Sequence, residues 1–306
     1  MADMTEDQDA VPAWLDQTLF PFKSHWIDID GNRIHYVDEG SGPTLLLLHG
    51  NGSWSFLYRH IITRLAPHFR CIAFDHAGFG LSRARPGFTF KPWEHATVLE
   101  GLVRALALRD IRLVVQDWGG PIGLSFAGLR PDLIDKLIIC NTWAWPADRI
   151  KHIENWSRLT GGGLGRFLIV RYNALTRFLV PMSTKRRLTS TEKAAYAKPY
   201  PTPASRIPHS QFAKEILESR DFLSEVEAGL ARLRDKPVLI LWGDHDPGFR
   251  ESERQRFETE FPGAEVHVLA GAKHFVQEDA PAEICDAIEQ FEACQGAVYE
   301  SAPFRS

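Results

Sequence analysis

Arg112-Leu113-Val114-Val115-Gln116-Asp117-Trp118-Gly119-Gly120-Pro121-Ile122-Gly123-Leu124 reads as a buried strand, a sharp turn and then a helix. The layout is that of the nucleophile elbow, G-x-S-x-G, with aspartate where serine usually stands. A carboxylate can displace a leaving group from a saturated carbon, and water can later cleave the ester it forms. Val115 holds the first small position instead of glycine, but Gly119 and Gly120 leave room for the turn. Pro121 near the helix start costs little, because an N–H is orphaned there anyway. The helix N-terminus directs partial positive charge at Asp117 and favours its ionised form. Taken alone, Asp117 also fits a plain N-cap. Gly123-Leu124-Ser125-Phe126-Ala127 matches the serine pattern loosely, but Ser125 falls inside the helix with no strand before it, so a serine nucleophile is rejected.

The same alternation extends in both directions. Strands are expected at Thr44 to Leu48, Arg70 to Phe74, Leu113 to Gln116, Lys136 to Cys140, Pro237 to Trp242 and Glu265 to Leu269. Helices are expected at Ser55 to Leu65, Trp93 to Leu108, Pro121 to Leu129, Ser252 to Phe261 and Pro281 to Phe291. Repeated strand–helix units imply a parallel sheet covered on both faces. Asp30-Gly31-Asn32 between Trp26 to Ile29 and Arg33 to Val37 signals a hairpin, so the sheet opens antiparallel. From about Trp143 to Leu223 no strand pattern occurs. Gly161 to Gly165 marks a break there, and Pro199 to Pro208 an irregular segment. We read residues 143–226 as an inserted helical cap, with 1–142 and 227–306 forming the two parts of a catalytic α/β domain.

Composition narrows the partners. The 306 residues are 44% hydrophobic and 24% charged, ordinary for a chain with a real core. A net charge of −4 argues against nucleic acid or an anionic membrane as the main partner. Residues 144–225 nevertheless hold 14 Lys/Arg against 7 Asp/Glu, either a solvated basic face or an attraction for anions. No signal-peptide pattern or membrane-length apolar run appears, and four cysteines without C-x-x-C spacing suit reduced thiols, so a cytoplasmic location is expected.

Three further groups suit the chemistry of Asp117. His49-Gly50-Asn51 follows the strand Thr44 to Leu48, where such an architecture supplies one oxyanion N–H; the residue after the nucleophile, Trp118, supplies the other. The Asn51 amide and the Trp118 indole are N–H donors whose side chains would stay free to face one spot opposite the carboxylate. His274 follows the last expected strand, in the chain order nucleophile, acid, histidine. Its task would be to deprotonate the hydrolytic water. Asp246, in Trp242-Gly243-Asp244-His245-Asp246-Pro247, is the candidate acid orienting it, since Asn141 stands at the alternative position. Adjacent Asp244, His245 and Asp246 do not make a metal site without further ligands. The Gly78-Phe79-Gly80 run does not open a dinucleotide-binding helix.

With these motifs in hand, the chain resembles the haloalkane dehalogenase family. The resemblance rests on His49-Gly50-Asn51, Trp54 to Arg59, Asp75 to Ser82, Gln116 to Gly120, Asp246 and His274 to Pro281, and it covers about Phe22 to Phe291. It implies an α/β-hydrolase fold, with a mostly parallel eight-stranded sheet, helices on both faces and an inserted helical cap. It also implies Asp117 as nucleophile, His274 as base, Asp246 as its acid, and Asn51 with Trp118 as halide-binding donors. No cofactor or metal is implied. The acid after the later strand, with Asn51 as donor, resembles the less studied subgroup, whose members tend to oligomerise. Gly52 departs from the proline many members carry there.

The expected reaction is hydrolysis of a haloalkane to alcohol and halide through an alkyl ester on Asp117. An epoxide hydrolase is the nearest alternative, with Tyr172, Tyr196 or Tyr200 protonating the ring oxygen. A fluoroacetate-type dehalogenase would carry a cluster of carboxylate-binding arginines beside the elbow, which this sequence does not show, and a non-catalytic binding protein would not need the complete triad. Trp143, Trp145, Trp156, Phe167, Tyr172 and Phe178 are candidates to line the pocket.

Overall fold

The computed structural model describes residues 9–148 and 150–300, with side chains as far as Cys294. Eight strands form one sheet in the order β1-β2-β4-β3-β5-β6-β7-β8. These are β1 (Ser24–Ile29), β2 (Asn32–Glu39), β3 (Thr44–Leu48), β4 (Arg70–Phe74), β5 (Ile111–Asp117), β6 (Ile134–Thr142), β7 (Val238–Gly243) and β8 (Glu265–Leu269). β1 and β2 pair antiparallel across Asp30 and Gly31, whose φ angles are 49° and 79°. Two successive positive φ values match the right-handed twist of a tight hairpin. β2 meets β4 antiparallel, and the remaining pairs are parallel.

Alternation along β3 shows why continuous apolar strands are needed. Leu46 and Leu48 enter one hydrophobic core with Val115, Leu99 and Ile122. Leu45 and Leu47 enter the other with Val114, Ile61 and Ile288. Both faces are buried, so every position of the strand is apolar, and each such leucine contributes roughly 1.5–3 kcal/mol. The covering helices include α1 (Arg59–Leu65), α2 (Pro92–Ala105) and α3 (Gly119–Leu129). Among the described residues, only helices and turns come between β6 and β7: α4 (Lys151–Gly161), α5 (Gly163–Tyr172), a π-helical turn at Leu175–Leu179, α6 (Val180–Met182), α7 (Ser190–Ala197), α8 (Ile207–Glu218) and α9 (Arg220–Gly229). α10 (Glu251–Glu260), α11 (Val276–Asp279) and α12 (Pro281–Glu300) complete the chain order.

β5 and β6 run beyond their apolar cores, because Asp117 still pairs with Thr142 at the carboxyl edge. Those end residues are polar, so apolar patterning stopped short of them. The four cysteines are free. No helix among the described residues is long and apolar enough to cross a membrane.

Candidate active site

Asp117 ends β5 with φ +50°, a left-handed conformation that non-glycine residues rarely adopt. The Thr142 hydroxyl donates to the Asp117 carbonyl at 2.6 Å and helps to hold the turn. Glycine is required around it. A Cβ on Gly50 would fall 2.2 Å from Asp117 Oδ1, and one on Gly119 would fall 2.3 Å from the Leu48 carbonyl oxygen. The loop after β3 therefore passes close enough for the Asn51 N–H to donate to Asp117 Oδ1 at 2.5 Å. The Trp118 backbone N–H lies beside this carboxylate and favours its ionised form.

His274 Nδ1–H donates to Asp246 Oδ2 at 2.9 Å. His274 Nε2 lies 3.7 Å from Asp117 Oδ2, within electrostatic reach but beyond a direct hydrogen bond. Asp246 is itself fixed: the Asn141 amide donates to Oδ2 at 3.0 Å, and the Gly248 N–H donates to Oδ1 at 2.7 Å. Asn141 in turn accepts from the Gly243 N–H at 2.8 Å. The ends of β3, β5, β7 and β8 thus converge on one cavity, as expected at the carboxyl edge of a parallel sheet.

Burial sets the electrostatics. It raises the Asp117 carboxyl above its usual range, against the opposing pull of His274 and the Asn51 and Trp118 N–H groups. Burial works to lower the His274 pKa, but the Asp246 carboxylate, its hydrogen bond and the Asp117 charge outweigh it, and the balance is upward. A carboxylate with few donors is a poorly solvated nucleophile, and a histidine between two acids is stabilised when it takes a proton.

Sequence reading passed over two residues in this site. Gln116 donates its amide N–H to His274 Nε2 at 2.9 Å and to the His274 carbonyl at 3.3 Å. A lone glutamine in an apolar buried strand was the available signal, since a buried amide needs a partner. His209, on α8, holds Asn51 twice: its Nδ1–H donates to Oδ1 at 2.8 Å, and its carbonyl accepts from Nδ2 at 3.1 Å. Burial drives the His209 pKa down to about 3, so the ring is neutral. Nothing local in the sequence linked residues 158 positions apart.

One expectation needs correction. The donor side chains of Asn51 and Trp118 are not free. The Trp118 indole N–H donates to the Phe212 carbonyl at 3.0 Å, as the Asn51 amide does to His209. Both acceptors are main-chain carbonyls of α8, which lies over the elbow and satisfies groups that burial would otherwise leave unpaired.

Of the suggested pocket residues, only Trp156 lines the cavity beside Asp117. Trp143 and Trp145 are buried in the main core, whereas Phe167, Tyr172 and Phe178 are exposed. The cavity walls include Trp156, Leu179, Ile216, Phe249 and Phe275. No tyrosine or arginine is among the described lining residues. Tyr196 donates its hydroxyl to Glu278, and Tyr200 accepts the Gly80 N–H at 2.9 Å, so neither is directed to an electrophile at Asp117.

A model of the alpha/beta hydrolase fold matches residues 43–281. Haloalkane dehalogenase 2 of Mycobacterium tuberculosis is 41% identical over 275 residues, 89% of this chain and 96% of the relative. The cis-3-alkyl-4-alkyloxetan-2-one decarboxylase of Shewanella oneidensis is 33% identical over 285 residues, 90% of this chain and 89% of the relative. Among solved structures, haloalkane dehalogenase DbeA from Bradyrhizobium elkani matches with a TM-score of 0.83 at 26% identity, covering 90% of this chain and 99% of that one. With its elbow, sheet order and this degree of likeness, the chain belongs to the α/β-hydrolase fold family and, within it, to the haloalkane dehalogenase family.

Proposed function

We propose that this protein hydrolyses haloalkanes to alcohol and halide through an alkyl ester on Asp117. The observation that carries the reading is a buried carboxylate facing a histidine that is itself held by Asp246. Asp117 Oδ2 attacks the halogen-bearing carbon from the side opposite the halogen. The carbon–halogen bond breaks with its electron pair leaving on the halide. His274 Nε2, exchanging the Gln116 amide N–H for water, then takes a proton from that water, and the resulting hydroxide attacks the ester carbonyl. The Asn51 N–H, already on that carboxylate, and the neighbouring Trp118 N–H stabilise the oxyanion. Collapse breaks the acyl–oxygen bond, the departing alkoxide takes the proton held by His274 and leaves as the alcohol, and the Asp117 carboxyl loses its proton to solvent to balance the released halide.

Halide binding falls to the Asn51 amide and the Trp118 indole. Because α8 carbonyls hold both, α8 must yield as the halide forms, exchanging carbonyl acceptors for an anion. Residues 143–226 act as the cap, keeping bulk water from the ester. The absence of a tyrosine from the described cavity walls favours halide over epoxide as the electrophile. Four free cysteines, three of them buried, support a cytoplasmic location, and a homo-oligomer follows the resemblance to the less studied subgroup.

The occupied donors favour a second reading. If α8 does not yield, no halide site forms, yet the carboxylate and its two N–H groups remain able to engage a strained ester. The Shewanella relative is named for a four-membered lactone bearing two alkyl groups. Incubation with 1-bromobutane and with a cis-3-alkyl-4-alkyloxetan-2-one separates the two. Bromide and butanol in equal amounts are expected; carbon dioxide from the lactone with no bromide from the bromoalkane would replace the first reading with the second.

A further inference from the structure

Asn51 lines the cavity beside Asp117, and both ends of its side-chain amide meet one residue of α8. The His209 carbonyl can only accept, so the end it meets at 3.1 Å is the amide N–H. The Asn51 oxygen is thereby turned to the imidazole, 2.8 Å from Nδ1. An oxygen acceptor at that distance requires the ring proton on Nδ1. The ring is fully buried, and burial drives its pKa down to about 3, so it is neutral and holds one proton. Nε2 is then a bare lone pair, with no hydrogen-bond partner among the described residues. Phe79 and Tyr200 pack against the ring, their centroids 5.0 and 4.2 Å from its own. A phenylalanine would fill such a place without burying an unpaired nitrogen, so the bond from Nδ1–H is what the imidazole adds there.

We propose that His209 is a positioning residue that sets the polarity of the leaving-group pocket, holding the Asn51 amide with its oxygen turned away and its N–H end free for an anion. The inference rests on the dehalogenation reading above and adds the residue that makes its pocket selective for an anion. The two ends of an amide are similar in shape and opposite in polarity. Reversed, Asn51 would present an oxygen to the departing halide and repel it. In the resting site the carbonyl and the ring of His209 both fix the direction of the amide. Once a halide withdraws the N–H from the carbonyl, the ring alone holds it. The Nδ1–H bond also polarises the amide and strengthens its N–H as a donor. Charge builds on the halogen only as the carbon–halogen bond breaks, so the effect falls on the displacement step. Ester hydrolysis uses the Asn51 backbone N–H, which bonds Asp117 rather than His209.

Nitrogen NMR of the wild-type ring is the first measurement. A proton on Nδ1 and none on Nε2 is expected, and the reverse would overturn the proposal. His209→Phe removes the donor, whereas His209→Asn restores an N–H close to the position of Nδ1. Bromide release and ester decay with 1-bromobutane are followed in the pre-steady state, and sodium bromide binding by calorimetry. His209→Phe is expected to lose about tenfold in the rate of bromide release and about tenfold in bromide affinity, with ester decay unchanged. His209→Asn is expected to recover most of both. Equal slowing of the two steps would make His209 a support of the whole loop and overturn the proposal, as would wild-type release and affinity in His209→Phe. If the wild type neither releases nor binds bromide, the dehalogenation reading fails, and the ring NMR still decides whether His209 orients Asn51.

Discussion

Asp117 carries its carboxylate on a backbone that costs about 1–3 kcal/mol for a residue with a side chain, and the surroundings maintain it. Its partners titrate in a way that ties activity to pH. The proposed activation of water needs neutral His274, and its pKa lies above the ordinary 6.5. Ester hydrolysis is therefore expected to slow as pH falls through that raised value, while alkylation of Asp117 persists. Stability runs the other way. A folded-state pKa above the unfolded one gives a contribution fully present below about 6.5 and lost as pH rises through the folded value. Pre-steady-state halide and alcohol release between pH 5 and 9, about the range where histidine titrates, separates the two steps. Asn141 offers a second test at this scale. Asn141→Leu leaves the Gly243 N–H unpaired and Asp246 with one donor fewer, so a loss of about 1–3 kcal/mol in stability is expected, with a longer-lived ester. Denaturant unfolding and single-turnover kinetics measure these. Asp117, Asp246 and His274 were legible in sequence because each follows an apolar strand run. Gln116 and His209 were not singled out, since their roles depend on what packs against them.

At the scale of elements, α8 sets the state of the site. Its His209 and Phe212 carbonyls hold the two donors that a halide would use. Bromide binding is expected to withdraw those donors and loosen the helix. Hydrogen exchange of amides in Ile207–Glu218 should rise on adding bromide, while β5 stays protected; unchanged exchange in α8 would mean that halide does not bind between Asn51 and Trp118. The strands were legible because a sheet buried on both faces requires continuous apolar runs, as in Thr44–Leu48. The insertion was legible only as helical. Which carbonyl of α8 meets which side chain is a tertiary fact, set by how α8 packs against α4 and the elbow. No 3.6-residue pattern encodes it.

At the scale of the whole molecule, a buried charge network joins the insertion to the segment carrying His274. Arg59 on α1 donates to Glu278 at 2.6 and 2.9 Å and to Glu192 of α7 at 2.9 Å. Arg186 bonds the same two acids. Glu278 lies in α11, a few residues after His274. Arg59→Met should leave two buried carboxylates with half their cations and cost about 3–5 kcal/mol, read by urea unfolding. Acid acts on the same joint. Burial raises the Glu192 pKa, but Arg186, the Thr189 N–H and Arg59 override it and hold it at about 2. Its contribution is present above the ordinary glutamate value of 4.5 and lost as pH falls towards 2, so the insertion should loosen over that window. The pairing of Arg59 was invisible in sequence, because its partners Glu192 and Glu278 lie 133 and 219 positions away.

The central claim is that Asp117 becomes esterified and that His274 is needed to free it. Intact-protein mass spectrometry of His274→Phe after incubation with 1-bromobutane tests it most directly. The expected result is one butyl group added per chain, mapped to Asp117, with one bromide released and no further turnover. An unmodified variant, or one that keeps turning over at the wild-type rate, would contradict the account.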